Sequence, residues 1–178
     1  MMKSLNVTEF TVDKKDKFLD IYDIGQKIGE GSLGEVRVCQ HKTTKQTRAV
    51  RIVKKALLTE TRMARFMTET ILLRNLDHPN ILRLNEMYQD KRRFFVVTEL
   101  CHGGELFDTI ENYVDTGRFC TESEAVYIIS QLLSSVAYLH ANEIIHMDIK
   151  PENVLFISKK DQNIKLIDFA LAQSTTGD

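Results

Sequence analysis

The sequence predicts an α+β fold: a small strand-rich lobe with one helix, followed by the first part of a helical lobe. Three observations carry this. Segments of period two, rich in β-branched and aromatic residues, recur up to about residue 99. One long segment of helical period interrupts them, and after Gly103-Gly104 the period turns helical up to about residue 142.

Residues 1–20 are polar and without clear period, so they read as an N-terminal extension with at most a short helix. From Tyr22 a strand, a glycine-rich turn and a second strand follow, with Val36 and Val38 alternating. A third strand fits Arg48–Lys54. Met63, Phe66, Met67, Thr70 and Leu73 then fall at i, i+3, i+4, i+7 and i+10, the spacing of one helix face over 59–75, and Pro79 stands just beyond its end. Two more strands fit Leu82–Tyr88 and Arg93–Glu99. Beyond the glycine pair, a helix covers ELFDTIENYV. A longer one over 122–142 opens at the capping signature Thr121-Glu-Ser-Glu. Its apolar positions run most of the way round, so it expects burial on several sides. Short strands at Asn153–Ile157 and Ile164–Ile167 close the chain. The domain reading is therefore 1–20 extension, 21–98 strand-rich lobe, and 99–178 connection plus helical part.

Composition narrows the function classes. The 178 residues are 43% hydrophobic and 28% charged, and 24 Lys+Arg against 25 Asp+Glu leave a net charge of −1. That suits a globular protein and lacks the basic excess of a nucleic-acid binder. No apolar run nears the ~20 residues of a membrane helix, and the charged start lacks a signal-peptide core, so a cytoplasmic location is expected. Cys39, Cys101 and Cys120 are odd in number and widely spaced, which argues for reduced thiols over a disulfide or zinc framework. Only 8 glycines and 2 prolines are present, so Gly29, Gly31 and Gly34 within six residues are informative.

Taken alone, that GxGxxG is a weak signal, shared with dinucleotide folds where it leads from strand into helix. Here it leads from strand to strand. Glycines in such a hairpin let backbone amides approach phosphate oxygens, and Val36 on the next strand is placed to cover an adenine; the alternative is an ordinary glycine-rich hairpin. Downstream, HMDIKPEN (146–153) and DFA (168–170) complete a set. Each residue alone reads as a surface charge or turn residue; the set in order does not.

On these motifs the chain resembles a Ser/Thr protein kinase from about Tyr22 to its end. LDHPNI, GGELFD and the wording around KPEN are most similar to the calcium/calmodulin-dependent and calcium-dependent protein kinases. The resemblance implies a protein-kinase-like fold, phosphoryl transfer from ATP with Mg2+ to protein hydroxyls, and a protein substrate or scaffold partner. It implies Asp148 as the base, Lys150 as the cation neutralising the transferred phosphoryl group, and Asn153 and Asp168 as metal ligands. For the nucleotide it implies Ile28, Gly29, Glu30, Gly31, Ser32, Leu33, Gly34, Glu35 and Val36 over the phosphates and base, and Ala49, Thr98, Glu99, Cys101 and Leu155 around adenine. Glu105 and Glu152 match acidic positions near the ribose and a basic substrate residue. Glu69 matches the helix glutamate that pairs with the third-strand basic residue, Arg51. Leu73, Leu84, His146 and Phe169 match a hydrophobic spine.

Several positions depart from the pattern. The third-strand lysine is Arg51, whose longer planar fork is no neutral replacement at a phosphate clamp. Strand alternation places Lys54 on the other face, so it does not substitute. Met147 replaces an arginine that pairs with an activation-loop phosphate. Ala170 replaces a glycine, narrowing the backbone choices beside Asp168. The chain stops at Asp178, where related domains run on, so the expectation is a truncated domain, of pseudokinase type or weakly active, lacking the activation segment. Helix 122–142 would then keep about five large side chains exposed at ~2 kcal/mol each and self-associate through that face. No DxDxDG calcium loop is present.

Overall fold

A computed structural model describes residues 17–31 and 33–175, so Ser32 of the glycine-rich turn and most of the predicted extension lie outside the described residues. The chain divides into two units. One holds the described residues up to Ala64 together with Leu84–Leu100; the other holds Arg65–Arg83 and Cys101 onward.

The first unit opens with a short helix α1 (Phe18–Ile21), followed by β1 (Tyr22–Gly31), β2 (Gly34–His41) and β3 (Thr47–Lys54). A 3₁₀ turn at Lys55–Leu57 leads to helix α2 (Glu60–Asn75), whose residues from Arg65 on belong to the second unit; in the first unit β4 (Leu84–Gln89) and β5 (Arg93–Thr98) complete the strands. They form one antiparallel sheet in the order β1-β2-β3-β5-β4. The five predicted strands are thus present, with ends shifted by one or two residues. Gly34 is required where it stands: a Cβ there would lie 1.9 Å from the Ile52 carbonyl oxygen, so only glycine lets β2 approach β3 so closely.

The core of this unit includes a residue that the reading of 1–20 as a patternless extension passed over. Phe18 is only 2% exposed; its ring stacks on Phe95 at 4.6 Å and Tyr22 at 5.2 Å, and meets Tyr88 edge-on at 5.7 Å. One aromatic just before a strand has no periodic signal, yet burying it is worth roughly 2–3 kcal/mol, enough to fold α1 onto the sheet. Cys39, Val50, Ile52 and Val97 fill in around the rings. Burial pushes the Cys39 thiol up to about 12, as befits a packing residue.

Helix α2 buries Phe66, Met67, Glu69, Thr70 and Leu73, close to the predicted stripe, with an acidic side chain included. The Thr70 hydroxyl donates back to the Phe66 carbonyl at 2.7 Å, which lets a polar side chain sit inside.

The second unit comprises β6 (Gly104–Glu105), α3 (Leu106–Thr116), α4 (Glu122–Ala141), β7 (Ile144–Ile145), β8 (Val154–Phe156), β9 (Ile164–Leu166) and β10 (Gln173–Ser174). β6, β8 and β9 form one sheet, and β7 pairs with β10. Gly103 is again a close approach, because a Cβ would fall 2.5 Å from that of Phe156. The predicted capping box forms: Thr121 Oγ1 accepts from the Glu124 amide, and the Glu124 carboxylate accepts from the Thr121 amide. The expectation of burial on several sides of α4 fails. Only Ile128, Ser135 and Leu139 are buried, while Val126 and Leu133 are each 61% exposed, because the helix packs on β7, β9 and the 77–80 turn and leaves these positions uncovered. Among the described residues no helix is long and apolar enough to cross a membrane.

Candidate active site

The second unit gathers the residues of HMDIKPEN (146–153) and Asp168. The chain leaves β7 into a loop whose anchor is His146, 2% exposed. Its Nδ1 accepts from the Asp148 amide at 3.2 Å, so Nε2 carries the proton and donates to the Ile167 carbonyl at 3.1 Å. The ring meets Phe169 edge-on at 4.7 Å. One neutral imidazole therefore ties the loop to the segment before Asp168. Burial lowers the His146 pKa, outweighing the Ile167 bond and the nearby Asp168 and Asp148 charges, which favour protonation.

Asp148 is the hub. Lys150 Nζ donates to its Oδ2 at 2.9 Å, and Asn153 Nδ2 donates to both its Oδ2 and its main-chain oxygen, each at 2.8 Å. The Lys150 bond first, and Asn153 after it, hold the Asp148 carboxyl below its ordinary range, so it is ionised at neutral pH. Asp148 in turn raises the Lys150 pKa, chiefly through the same bond, with Glu152 and Asp168 adding to it. Asn153, 5% exposed, sits in a 3₁₀ turn at Pro151–Asn153, and its carbonyl accepts from the Ile167 amide at 2.9 Å. Asp168 is exposed and accepts from the Ala170 amide at 3.3 Å.

Backbone conformation marks the same loop. Met147 (φ 67°) and Asp168 (φ 63°) lie in the left-handed region, which non-glycine residues seldom adopt outside constrained sites. Ala170 is not among the positive-φ residues, so the missing glycine costs this conformation nothing. The Met147 side chain is 56% exposed.

The donor chemistry fits a magnesium–nucleotide complex. With both amide hydrogens of Asn153 directed at Asp148, its Oδ1 is left as a hard ligand, and Asp168 offers a carboxylate. No group of three or more His, Cys, Asp or Glu able to hold a metal occurs among the described residues. An ion here would take most of its shell from phosphate and water, as magnesium does.

The first unit arranges the nucleotide candidates on one sheet face. Val36 pairs with Arg51, which pairs with Val96; Val38 pairs with Ala49, which pairs with Thr98. Strand alternation puts all six on the same side, with Lys54 on the other, as the sequence predicted. Ile28, 43% exposed, and Gly29 lie on β1; Glu30 pairs with Glu35 and Gly31 with Gly34 across the turn that holds Leu33. Thr98 ends β5, and its hydroxyl donates to the Glu99 carbonyl at 3.1 Å. Cys101, Glu105 and Leu155 are half-buried in the second unit, where Glu105 on β6 pairs with Leu155 on β8. Burial first, then Asp108 and Glu152, raises the Glu105 pKa. Glu69 is buried on α2. The sequence reading missed the load carried by Ile167, whose main chain bonds both His146 and Asn153; a backbone role leaves no side-chain signal.

Comparison with known proteins identifies the family. The protein kinase domain family matches residues 22–178. Calcium-dependent protein kinase 5 of Plasmodium falciparum (isolate 3D7) is 38% identical over 172 residues, covering 96% of this chain and 29% of the relative. Calcium/calmodulin-dependent protein kinase type II of Caenorhabditis elegans is 40% identical over 157 residues, 88% of this chain and 21% of the relative. Calcium-dependent protein kinase 3 of Plasmodium yoelii yoelii is 41% identical over 155 residues, 86% and 28% respectively. The chain thus spans less than a third of the length of these relatives. It belongs to the protein kinase family, among relatives that are calcium-dependent and calcium/calmodulin-dependent kinases.

Proposed function

We propose that this chain handles MgATP for phosphoryl transfer to Ser/Thr hydroxyls of proteins, with weak turnover. The observation that carries the reading is the Asp148–Lys150–Asn153 network, which fixes an ionised carboxylate beside a cation and an amide oxygen. Asp148 has one oxygen taken by Lys150 and Asn153, leaving Oδ1 to accept the proton of a substrate hydroxyl as that hydroxyl oxygen bonds to the γ-phosphorus of ATP and the phosphorus–oxygen bond to the departing ADP breaks. Lys150 offers a positive charge to the transferred group, and Asn153 and Asp168 would hold the metal, which would neutralise phosphate charge. The face bearing Val36, Ala49, Arg51 and Thr98, the glycine turn 28–36, and Glu99, Cys101, Glu105, Glu152 and Leu155 are assigned to the nucleotide, with Glu69 steering the basic residue. The domain reading goes with this: 21–98 as the N-lobe, 99–178 as hinge and C-lobe part. Reduced thiols and MgATP both suit the cytoplasm.

A second reading, a pseudokinase-like nucleotide-binding or scaffold module, is favoured by Arg51 and by Met147, whose exposed thioether offers no charge to a phosphate. Phosphate transfer from labelled ATP to a mixed Ser/Thr peptide pool separates the two. Low transfer that Arg51→Lys raises about tenfold, worth ~1.4 kcal/mol of barrier, and Asp148→Asn abolishes supports the kinase reading. ATP binding with no transfer in either form supports the module. The outward faces of α3 and α4, with Val114 77%, Val126 61% and Leu133 61% exposed, fit self-association. Sedimentation at rising concentration, with Leu133→Glu as control, tests it; a monomer throughout would reject it.

A further inference from the structure

The first unit carries a concentration of charge that the nucleotide reading does not use. Lys54, Lys55, Ala56, Lys91, Arg92 and Arg93 line a groove of ≈ 670 Å³, built from the end of β3 and the turn between β4 and β5. Its six lining residues bring five cations together in a chain whose net charge is −1. The sheet register sets Lys54 directly across from Arg93, and like charges facing each other on paired strands destabilise a sheet. The acidic residue of the turn relieves part of this by pairing with Arg93, and its carboxylate is fully engaged there. Asp90 already receives the Arg92 and Arg93 amides and two bonds from the Arg93 guanidinium, the shortest of these last at 2.7 Å.

The groove is also pre-shaped. Lys55 Nζ lies 4.5 Å from the Phe94 ring centre and donates to Gln89 Oε1 at 2.7 Å; the Arg93 guanidinium lies 4.9 Å over Phe95. The Lys55 amide donates to the Arg92 carbonyl at 2.9 Å, joining the two walls. Two cations are thus positioned before any ligand arrives, which lowers the ordering cost of binding. Lys54, Lys91 and Arg92 are exposed.

We propose that this groove docks a Glu/Asp-rich segment of a partner protein. Cations spread along two walls suit several separated carboxylates better than one phosphate. Nucleic acid is disfavoured because Phe94 and Phe95, 4% and 2% exposed, offer no open ring for base stacking. A bilayer is disfavoured because the site is concave, with Leu57 as its exposed apolar neighbour.

Fluorescence anisotropy of a labelled Glu/Asp-rich decapeptide tests the proposal, with the Gln/Asn decapeptide of the same order as control. The expected result is salt-sensitive binding of the acidic peptide only, weakened about tenfold or more by the triple change Lys54→Glu, Lys91→Glu and Arg92→Glu. The milder pair Lys91→Ala and Arg92→Ala, on an exposed turn, should weaken it in the same direction without altering the melting temperature. Equal binding by either variant, or no binding below millimolar peptide, would overturn the proposal. So would tighter binding of a peptide bearing a single phosphoserine, of a single-stranded oligonucleotide, or of phosphatidylserine vesicles. The inference does not rest on the nucleotide chemistry, and a chain without ATP binding would still be expected to pass this test.

Discussion

Replacing Asn153 by Ala removes the two side-chain bonds that hold Asp148. The bond to the main-chain oxygen is between neutral groups, worth roughly 0.5–1.5 kcal/mol net, and that to the carboxylate is charge-assisted, roughly 1.5–3 kcal/mol. Asp148 keeps Lys150 as a partner and its side chain is 26% exposed, so water replaces part of what is lost. We expect a net loss of about 2 kcal/mol, read as a melting temperature lower by roughly 4–8 °C for a chain of this size. Asn153→Asp should be worse at neutral pH, since it sets a second carboxylate against Asp148, and should recover as the pH falls and one of the pair protonates. Thermal denaturation of the three proteins from pH 5 to 8 is the assay. If Asn153→Ala melted within a degree of the parent, the network would not be the anchor described, and the assignment of Asp148 as a fixed acceptor would fall with it.

Phe18→Ala should cost about 3–5 kcal/mol, because a ring 2% exposed and stacked on two others is deleted from the core; a urea midpoint unchanged by the substitution would place α1 outside the folded unit. His146 gives a pH signature. Its folded pKa lies below the ordinary 6.5, so in that range the unfolded chain binds the proton first. The corresponding stability is complete above pH 6.5 and is lost as pH falls through the folded value, with a slope of at most about 1.4 kcal/mol per pH unit. Urea midpoints across that range, compared with His146→Gln, should show a steeper fall for the parent; parallel curves would contradict the buried, neutral imidazole.

Much of this was legible in the sequence, and the reasons differ by element. Period-two runs and the i, i+3, i+4 stripe of α2 announce structure because one face must be buried, and the observed strands and helix follow them. The glycine turn was legible because Gly34 meets a backbone it must not crowd. HMDIKPEN pointed to the Asp148 network because its residues are near neighbours in sequence, so local turns bring them together. What was illegible depended on distant partners. Phe18 has no pattern around it and is placed by Phe95 and Tyr88; α4 is apolar on more sides than the described chain covers; and Ile167 acts through its main chain. Ala170 lies outside the left-handed positions, which include Met147 and Asp168, so the narrower backbone choice read from the motif leaves this conformation untouched.

The central claim is that a magnesium-dependent nucleotide site is assembled in this chain despite Arg51. A thermal-shift titration with ATP, with and without magnesium, tests it most directly, using Asp168→Ala as control. Binding at a hundredfold excess over Kd adds about 2.7 kcal/mol of stability, a rise of roughly 5–11 °C. The account predicts a rise of this kind that needs magnesium and is lost in Asp168→Ala. A folded chain whose melting temperature does not move at millimolar ATP, with or without magnesium, would contradict it.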